Sequence, residues 1–188
     1  MLRAQGFLKS TRTEDLAGGE AANEDGAMSD PFRPLKDALG RFATGIALAG
    51  CRGAAGAPVF MTVNSFTSVS LAPPLVLWCI ERRASTFDEF SAAKGYSITV
   101  LNAGQQALSE RFAMHAPAAP APHEYETWET GAPILKDRLA GLDCRIVDRL
   151  PAGDHLILLG EVLRFDAKAG APLLYFASSY SKGPEAEQ

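Results

Sequence analysis

Four segments of this 188-residue chain carry side chains able to do chemistry. In Thr62-Val63-Asn64-Ser65-Phe66-Thr67-Ser68-Val69-Ser70, six of nine residues bear a hydroxyl or amide. A two-residue period puts Thr62, Asn64 and Phe66 on one side of a strand until the Ser/Thr cluster breaks it. Short uncharged donors beside exposed backbone N–H groups suit the polar edge of a flat heterocycle, or a phosphate in a backbone nest. The same composition also describes a polar outer strand with a Ser/Thr turn. Glu81-Arg82-Arg83-Ala84-Ser85-Thr86-Phe87 places two arginines, a serine and a threonine before a helix start, where unpaired N–H groups and guanidinium make an anion site. Its plain alternative is a capped helix with solvated arginines. In Gly153-Asp154-His155, a histidine opens the apolar strand Leu156 to Val162, where it can donate to a carboxamide or move a proton near neutral pH. On the residues alone, a hydrogen-bonded structural histidine is the stronger reading. Tyr175 to Tyr180 offers aromatics that stack on a ring or simply pack. Nucleophile-elbow, Walker and G-x-G-x-x-G patterns are all missing.

Composition narrows the classes. The formal net charge of −4 leaves no basic surplus for nucleic acid. The densest apolar run, Pro73 to Ile80, is strand-length rather than membrane-length, and Gly6-Phe7-Leu8 is too short for a secretory core. Cys51, Cys79 and Cys144 are scattered and odd in number, which fits a reducing compartment. Together with His115, His123 and His155 they lack metal-ligand spacing, so no metal site is expected. A cytoplasmic protein is expected.

The elements that would position these segments follow from pattern. Residues 1–29 lack an apolar period and read as a disordered tail, with the ordered domain over 30–182 and a short tail over 183–188. Asp30 and Pro31 predict a helix start, with Phe32, Leu35, Leu39 and Phe42 on one face and Gly45 as its end. Strands are predicted at Ile46 to Ala49, Val59 to Val63, Leu75 to Ile80 (apolar enough for burial on both faces) and Tyr96 to Leu101. Further strands are predicted at Leu142 to Val147, Leu156 to Phe165 and Leu173 to Phe176. Thr86-x-x-Glu89 predicts a capped short helix closed by Gly95, and Gln105 to Ala113 a second one. Ala116 to Pro122, with three prolines in seven residues, is an extended loop. The sum is a mostly β chain, an antiparallel barrel with a few peripheral helices.

Taken in order, Ala38-Leu39-Gly40-Arg41-Phe42-Ala43-Thr44-Gly45, Met61 to Ser70, Pro73-Pro74-Leu75-Val76, Leu108-Ser109-Glu110-Arg111-Phe112-Ala113, Gly153-Asp154-His155 and Pro172 to Phe176 resemble the short-chain flavin reductase family. These are the reductase components of two-component flavin-dependent monooxygenases. The resemblance runs from about Phe32 to Tyr180. It implies an FMN-binding split β-barrel of antiparallel Greek-key type, a homodimer with its flavin sites near the subunit interface. It implies an NAD(P)H:flavin oxidoreductase, reducing FAD or FMN and supplying a partner monooxygenase. The missing arginine cluster for a 2′-phosphate favours NADH over NADPH. By position, Thr62, Val63, Asn64, Ser65, Phe66, Ser68 and Val69 would line the isoalloxazine and ribityl chain, and Arg83, Ala84, Ser85 and Thr86 would hold the flavin phosphate. Asn102, Arg111 and Phe112 would complete the site, His155 would meet the nicotinamide as the catalytic helper, and Tyr175 and Tyr180 would flank it. Phe60 departs from the family's usual small residue. A flavin-binding electron-transfer or sensing protein without nicotinamide turnover is the alternative, and a module recruiting a protein through its tail and proline-rich loop is a second.

Overall fold

The computed structural model of the chain describes residues 30–114 and 119–185. The expected N-terminal tail, His115, residues 116–118 of the proline-rich loop and residues 186–188 lie outside them. The chain divides into two compact units, Met1–Phe42 and Ala43–Gln188.

In the first unit, helix α1 spans Arg33–Leu39. Asp30 does serve its start, accepting from the Phe32 N–H at 3.0 Å and from Lys36 Nζ at 2.7 Å. The proline in the first turn is Pro34 rather than Pro31, and Phe32 is the capping position. The helix stops at Gly40, not Gly45, because Thr44 and Gly45 instead pair with Tyr175 and Leu174 as a strand.

The second unit is a rolled antiparallel sheet. Its seven strands are β2 (Ala47–Arg52), β3 (Pro58–Val63), β4 (Thr67–Leu71), β5 (Pro74–Glu81), β6 (Gly95–Val100), β9 (Ala140–Ala152) and β10 (His155–Ala167), in the order β3-β2-β6-β9-β10-β5-β4. The two edge strands are consecutive in sequence. Only residues 64–66 join them, and four Cα steps span at most about 14 Å. The edges must therefore come together, closing the sheet into a barrel that is split between β3 and β4. Three smaller strands, β1 (Thr44–Gly45), β11 (Leu173–Phe176) and β12 (Ser179–Lys182), form a second sheet, and β7 (Tyr125–Thr127) pairs with β8 (Pro133–Leu135). Helices α2 (Phe87–Ala92) and α3 (Gln106–Ala113) complete the unit.

Two cores lie on either side of β2. Inside the barrel, Ala47, Ala49 and Cys51 meet Val76, Trp78, Ile80, Tyr96, Ile98 and Leu158. Outside it, Leu48, Phe60, Leu101, Phe112, Leu135 and Leu173 seal α3, β8 and β11 against the wall. Gly50 is dictated by this double packing: a Cβ there would lie 2.3 Å from the Pro133 carbonyl oxygen. The thiols of Cys51 and Cys144 are buried, and burial pushes Cys51 up to about 12, so both act as small hydrophobes.

Several expected boundaries moved for identifiable reasons. The hydroxyl-rich stretch is not one broken strand: β3 ends at Val63, and residues 67–71 form a separate edge strand paired with β5. Thr62 and Phe66 consequently do not share a side; Thr62 bonds α3 while Phe66 packs on the barrel core. β5 alternates buried and half-buried residues, rather than being buried on both faces. The capping box is not made, since Thr86 makes no side-chain cap and its hydroxyl contacts Met61 Sδ at 3.5 Å. Gly95 opens β6 rather than closing α2, where a Cβ would strike Thr130 and the Cys144 carbonyl at 2.8 Å. The last long hairpin extends well past the expected strands, because Gly153, at φ +60°, and Asp154 make a two-residue turn matching type II′.

Candidate functional site

At the split, between the β3 edge and α3, lies a cleft of about 330 Å3, within the usual range for small-molecule sites. Phe60, Met61 and Thr62 supply one wall, Phe112, Ala113 and Met114 another, and Glu81 with Arg83 to Thr86 the third. The polar groups in it are polarised. Thr62 Oγ1 donates to the Ser109 carbonyl at 2.6 Å and Thr86 Oγ1 points its proton at Met61, so both present acceptors only. Arg83 is 87% exposed, and its ion pair with Glu81 is long at 3.9 Å, so its guanidinium is available to an incoming anion. Helix α2 has only six residues, so its dipole adds little, and the polar groups open to an anion here are those of Arg83 and Ser85.

His155 does not itself line this cleft; its cross-strand partner Glu81 does. Its Nδ1 meets Asp154 Oδ1 at 2.7 Å, which holds the Asp154 carboxyl below its ordinary value. The carboxylate fixes Nδ1 as the donor, leaving Nε2 to accept when the ring is neutral and donate when it is charged. The hairpin tip is tied to the cleft's third wall, since Arg82 N donates to the Asp154 carbonyl at 2.9 Å. The 60–62, 81–86 and 153–155 segments, distant in sequence, thus converge.

Of the residues expected in the site, Thr62, Arg83, Ala84, Ser85, Thr86 and Phe112 line the cleft. The others lie elsewhere. Ser65 Oγ exchanges hydrogen bonds with both backbone groups of Cys79, at 3.0 and 3.1 Å, pinning the β3–β4 link to β5. Val63 is buried in the barrel core, while Asn64, Ser68 and Val69 are exposed beside the split. Asn102 forms the turn before α3, its Oδ1 accepting from Gly104 N at 2.9 Å. Arg111 ties α3 to the loop after it, through Glu124 at 3.2 Å and the Ala119 carbonyl at 2.9 Å. Tyr180 joins Ser109 on α3 at 3.0 Å and meets Tyr175 edge-on. A larger cavity of about 380 Å3 lies at the other end of α3, around Gln105, His123 and Lys136. It gathers none of the expected residues.

The flavin reductase like domain family matches residues 39–184. The chain belongs to that family. It is 37% identical over 151 residues to a "Probable flavin reductase" of Rhizobium meliloti, covering 80% of this chain but only 48% of that protein. It is 35% identical over 149 residues to the 4-hydroxyphenylacetate 3-monooxygenase reductase component of Thermus thermophilus, covering 79% and 94%. The NADH:FAD oxidoreductase SgcE6 of Streptomyces globisporus C-1027, solved in complex with NAD and FAD fragments, superposes with a TM-score of 0.73 at 34% identity, over 78% of this chain and 89% of that one. The split barrel expected from the resemblance is the fold observed.

Within this flavin reductase-like frame, Phe60 is absorbed without filling the cleft. It is 1% exposed, with its ring 5.4 Å from that of Phe112. Sequence reasoning missed Met61, Glu81, Ala113 and Met114 as cleft residues. Met61 and Ala113 adjoin an expected site residue in sequence, and Glu81 and Met114 lie two positions from one, which is the signal that could have found them.

Proposed function

We propose that this chain is an NADH-dependent flavin reductase that binds FAD or FMN at the split of the barrel. The observation that carries the reading is one cleft with an acceptor wall (Thr62, Thr86) and an available guanidinium (Arg83), next to a strand that carries a carboxylate-oriented histidine (His155) opposite its Glu81 wall. The residues fit a flavin: Arg83 and Ser85 suit its phosphate, Thr62 suits a flavin N–H or a ribityl hydroxyl, and exposed Asn64, Ser68 and Val69 border the opening. Ser65 and Phe66 would act by shaping the link, and Asn102, Arg111, Tyr175 and Tyr180 by holding α3 and its surroundings. When bound, flavin supplies the hydride-accepting chemistry, and no protein nucleophile is required. The chain's own residues bind and orient the two rings, and His155 holds the nicotinamide carboxamide. Reduced flavin would pass to a partner monooxygenase, as the name of the Thermus relative suggests. No helix among the described residues is long and apolar enough to cross a membrane, and the three thiols are free, in keeping with a cytoplasmic protein.

Arg83→Ala should raise the flavin dissociation constant about tenfold, read by fluorescence quenching, the size of one charge-assisted hydrogen bond. Unchanged affinity would move the phosphate elsewhere. Steady-state assays crossing FAD and FMN with NADH and NADPH test the reaction itself. A yellow protein that never oxidises either nicotinamide would point instead to an electron-transfer or sensing role.

We further infer a homodimer. Leu75, Leu77 and Cys79 of β5 and their cross-strand neighbours Ile157 and Leu159 form a half-buried apolar row, beside which Val69 is exposed at the bulge of the edge strand. A second copy would cover that row. Sedimentation should give twice the 20.0 kDa chain mass, and a monomer at micromolar concentration would end this reading.

A further inference from the structure

Two thioethers face the proposed flavin cleft, and their surroundings differ. Met61, on β3, is half-buried, and its sulfur accepts the Thr86 hydroxyl at 3.5 Å. Met114, the residue that caps the end of α3, is 66% exposed at the mouth. Its sulfur has no hydrogen-bond donor among the described residues. A flavin reductase has an unusual relation to thioethers, because its product generates an oxidant. Reduced flavin that leaves without meeting an oxygenase gives up two electrons and two protons to dioxygen, forming oxidised flavin and hydrogen peroxide.

We propose that Met114 is a sulfoxidation site, oxidised by peroxide formed from the chain's own product, and that the sulfoxide weakens flavin binding. The inference rests on the cleft being the flavin site. The step balances: a Met114 sulfur lone pair attacks one peroxide oxygen, the O–O bond breaks, sulfur is oxidised by two electrons to the sulfoxide, and the other oxygen takes the proton of the transferred one and leaves as water. Access decides which sulfur reacts. Met114 is open to solvent, while Met61 is half-shielded and has one of its two sulfur lone pairs engaged by Thr86. The consequence follows from polarity. A flexible apolar group at the mouth becomes a polar one, losing a sulfur–ring contact with bound flavin. Such a contact corresponds to about a two- to tenfold change in affinity. The effect would be greatest when the oxygenase is idle and reduced flavin escapes, so output of reduced flavin would fall when nothing consumes it. Methionine sulfoxide reductases reverse the change.

The test is aerobic turnover of the full chain with NADH and flavin, with and without catalase, followed by peptide mass mapping and flavin titration of the product. Met114 should acquire oxygen well before Met61, catalase should suppress both, and the flavin dissociation constant should rise two- to tenfold in step with Met114 oxidation. Met114→Leu, compared with its own starting rate, should lose activity more slowly, and methionine sulfoxide reductase should restore affinity to the oxidised native chain. Oxidation of Met61 first, or equal decline in Met114→Leu, would overturn the proposal. A second arm treats the resting protein with added hydrogen peroxide. Complete Met114 oxidation there with unchanged flavin affinity would overturn the proposal, while the Arg83→Ala titration tests separately whether the cleft is the flavin site.

Discussion

Ser97 and Thr99 on β6 are fully buried, and each hydroxyl meets the backbone of β8: Ser97 donates to the Pro133 carbonyl, and Thr99 accepts from Leu135 N at 3.3 Å. Ser68, on the edge strand β4, bears the same hydroxyl on the same kind of backbone but is exposed beside the split. The difference teaches what makes a polar strand a site. A buried hydroxyl must be satisfied by its own protein, because leaving it unpaired is costly. A hydroxyl at a split edge can wait for a ligand because water satisfies it meanwhile. The flavin reductase fold opens one seam in an otherwise sealed barrel, and the groups beside that seam keep unused hydrogen-bonding capacity.

The sharpest way to break the comparison is to damage the sealed wall. Gly50→Ala would place a methyl against the Pro133 carbonyl, Ser97 Oγ and the Phe60 ring, at 2.3, 2.5 and 2.9 Å. None of these can retreat, since β8 and both cores are packed behind them. The chain should lose about 3 kcal/mol, seen as a lower urea midpoint with an unchanged slope. A wild-type midpoint would mean that β8 is held loosely, and the wall would not differ from the seam. Ser97→Ala is gentler. It strands the Pro133 carbonyl without adding bulk and should lower stability by about 1–3 kcal/mol, measured the same way.

How much of this division was legible in sequence follows from the same physics. β2, β5, β6 and β10 announced themselves through apolar and β-branched runs, because burial demands those residues. The edge strand β4 did not. Thr67, Ser68 and Ser70 look like a turn, and only pairing with β5 makes them a strand. β7, β8 and β12 were missed for a similar reason: each has three or four residues and is defined by its partner rather than by its own composition. At the site, Arg83, Ser85 and Thr86 were legible because their chemistry sits in one contiguous segment. Arg111 and Asn102 hold a loop and a turn here, and in sequence such a side chain looks the same as one that waits for a ligand. Only the resemblance connected the hydroxyl-rich segment, the arginines and His155, since no local pattern encodes closure of the barrel.

The smallest effect on stability discriminates best between wall and seam, and it comes from two serines three residues apart. Ser65 sits in the seam but behaves like the wall, with its hydroxyl engaged by both backbone groups of Cys79. Ser65→Ala should therefore lower stability by about 1 kcal/mol and disturb flavin binding only through the altered link. Ser68→Ala removes an exposed hydroxyl and should leave stability within about 0.5 kcal/mol of wild type. It should nevertheless weaken flavin by about two- to tenfold, the value of one neutral hydrogen bond. Denaturation midpoints and fluorescence titrations on both variants would separate the roles. If Ser68→Ala bound flavin with native affinity while Ser65→Ala did not, the ligand would lie on the β3 side of the split alone, and the exposure of β4 would belong to the subunit contact rather than to the site.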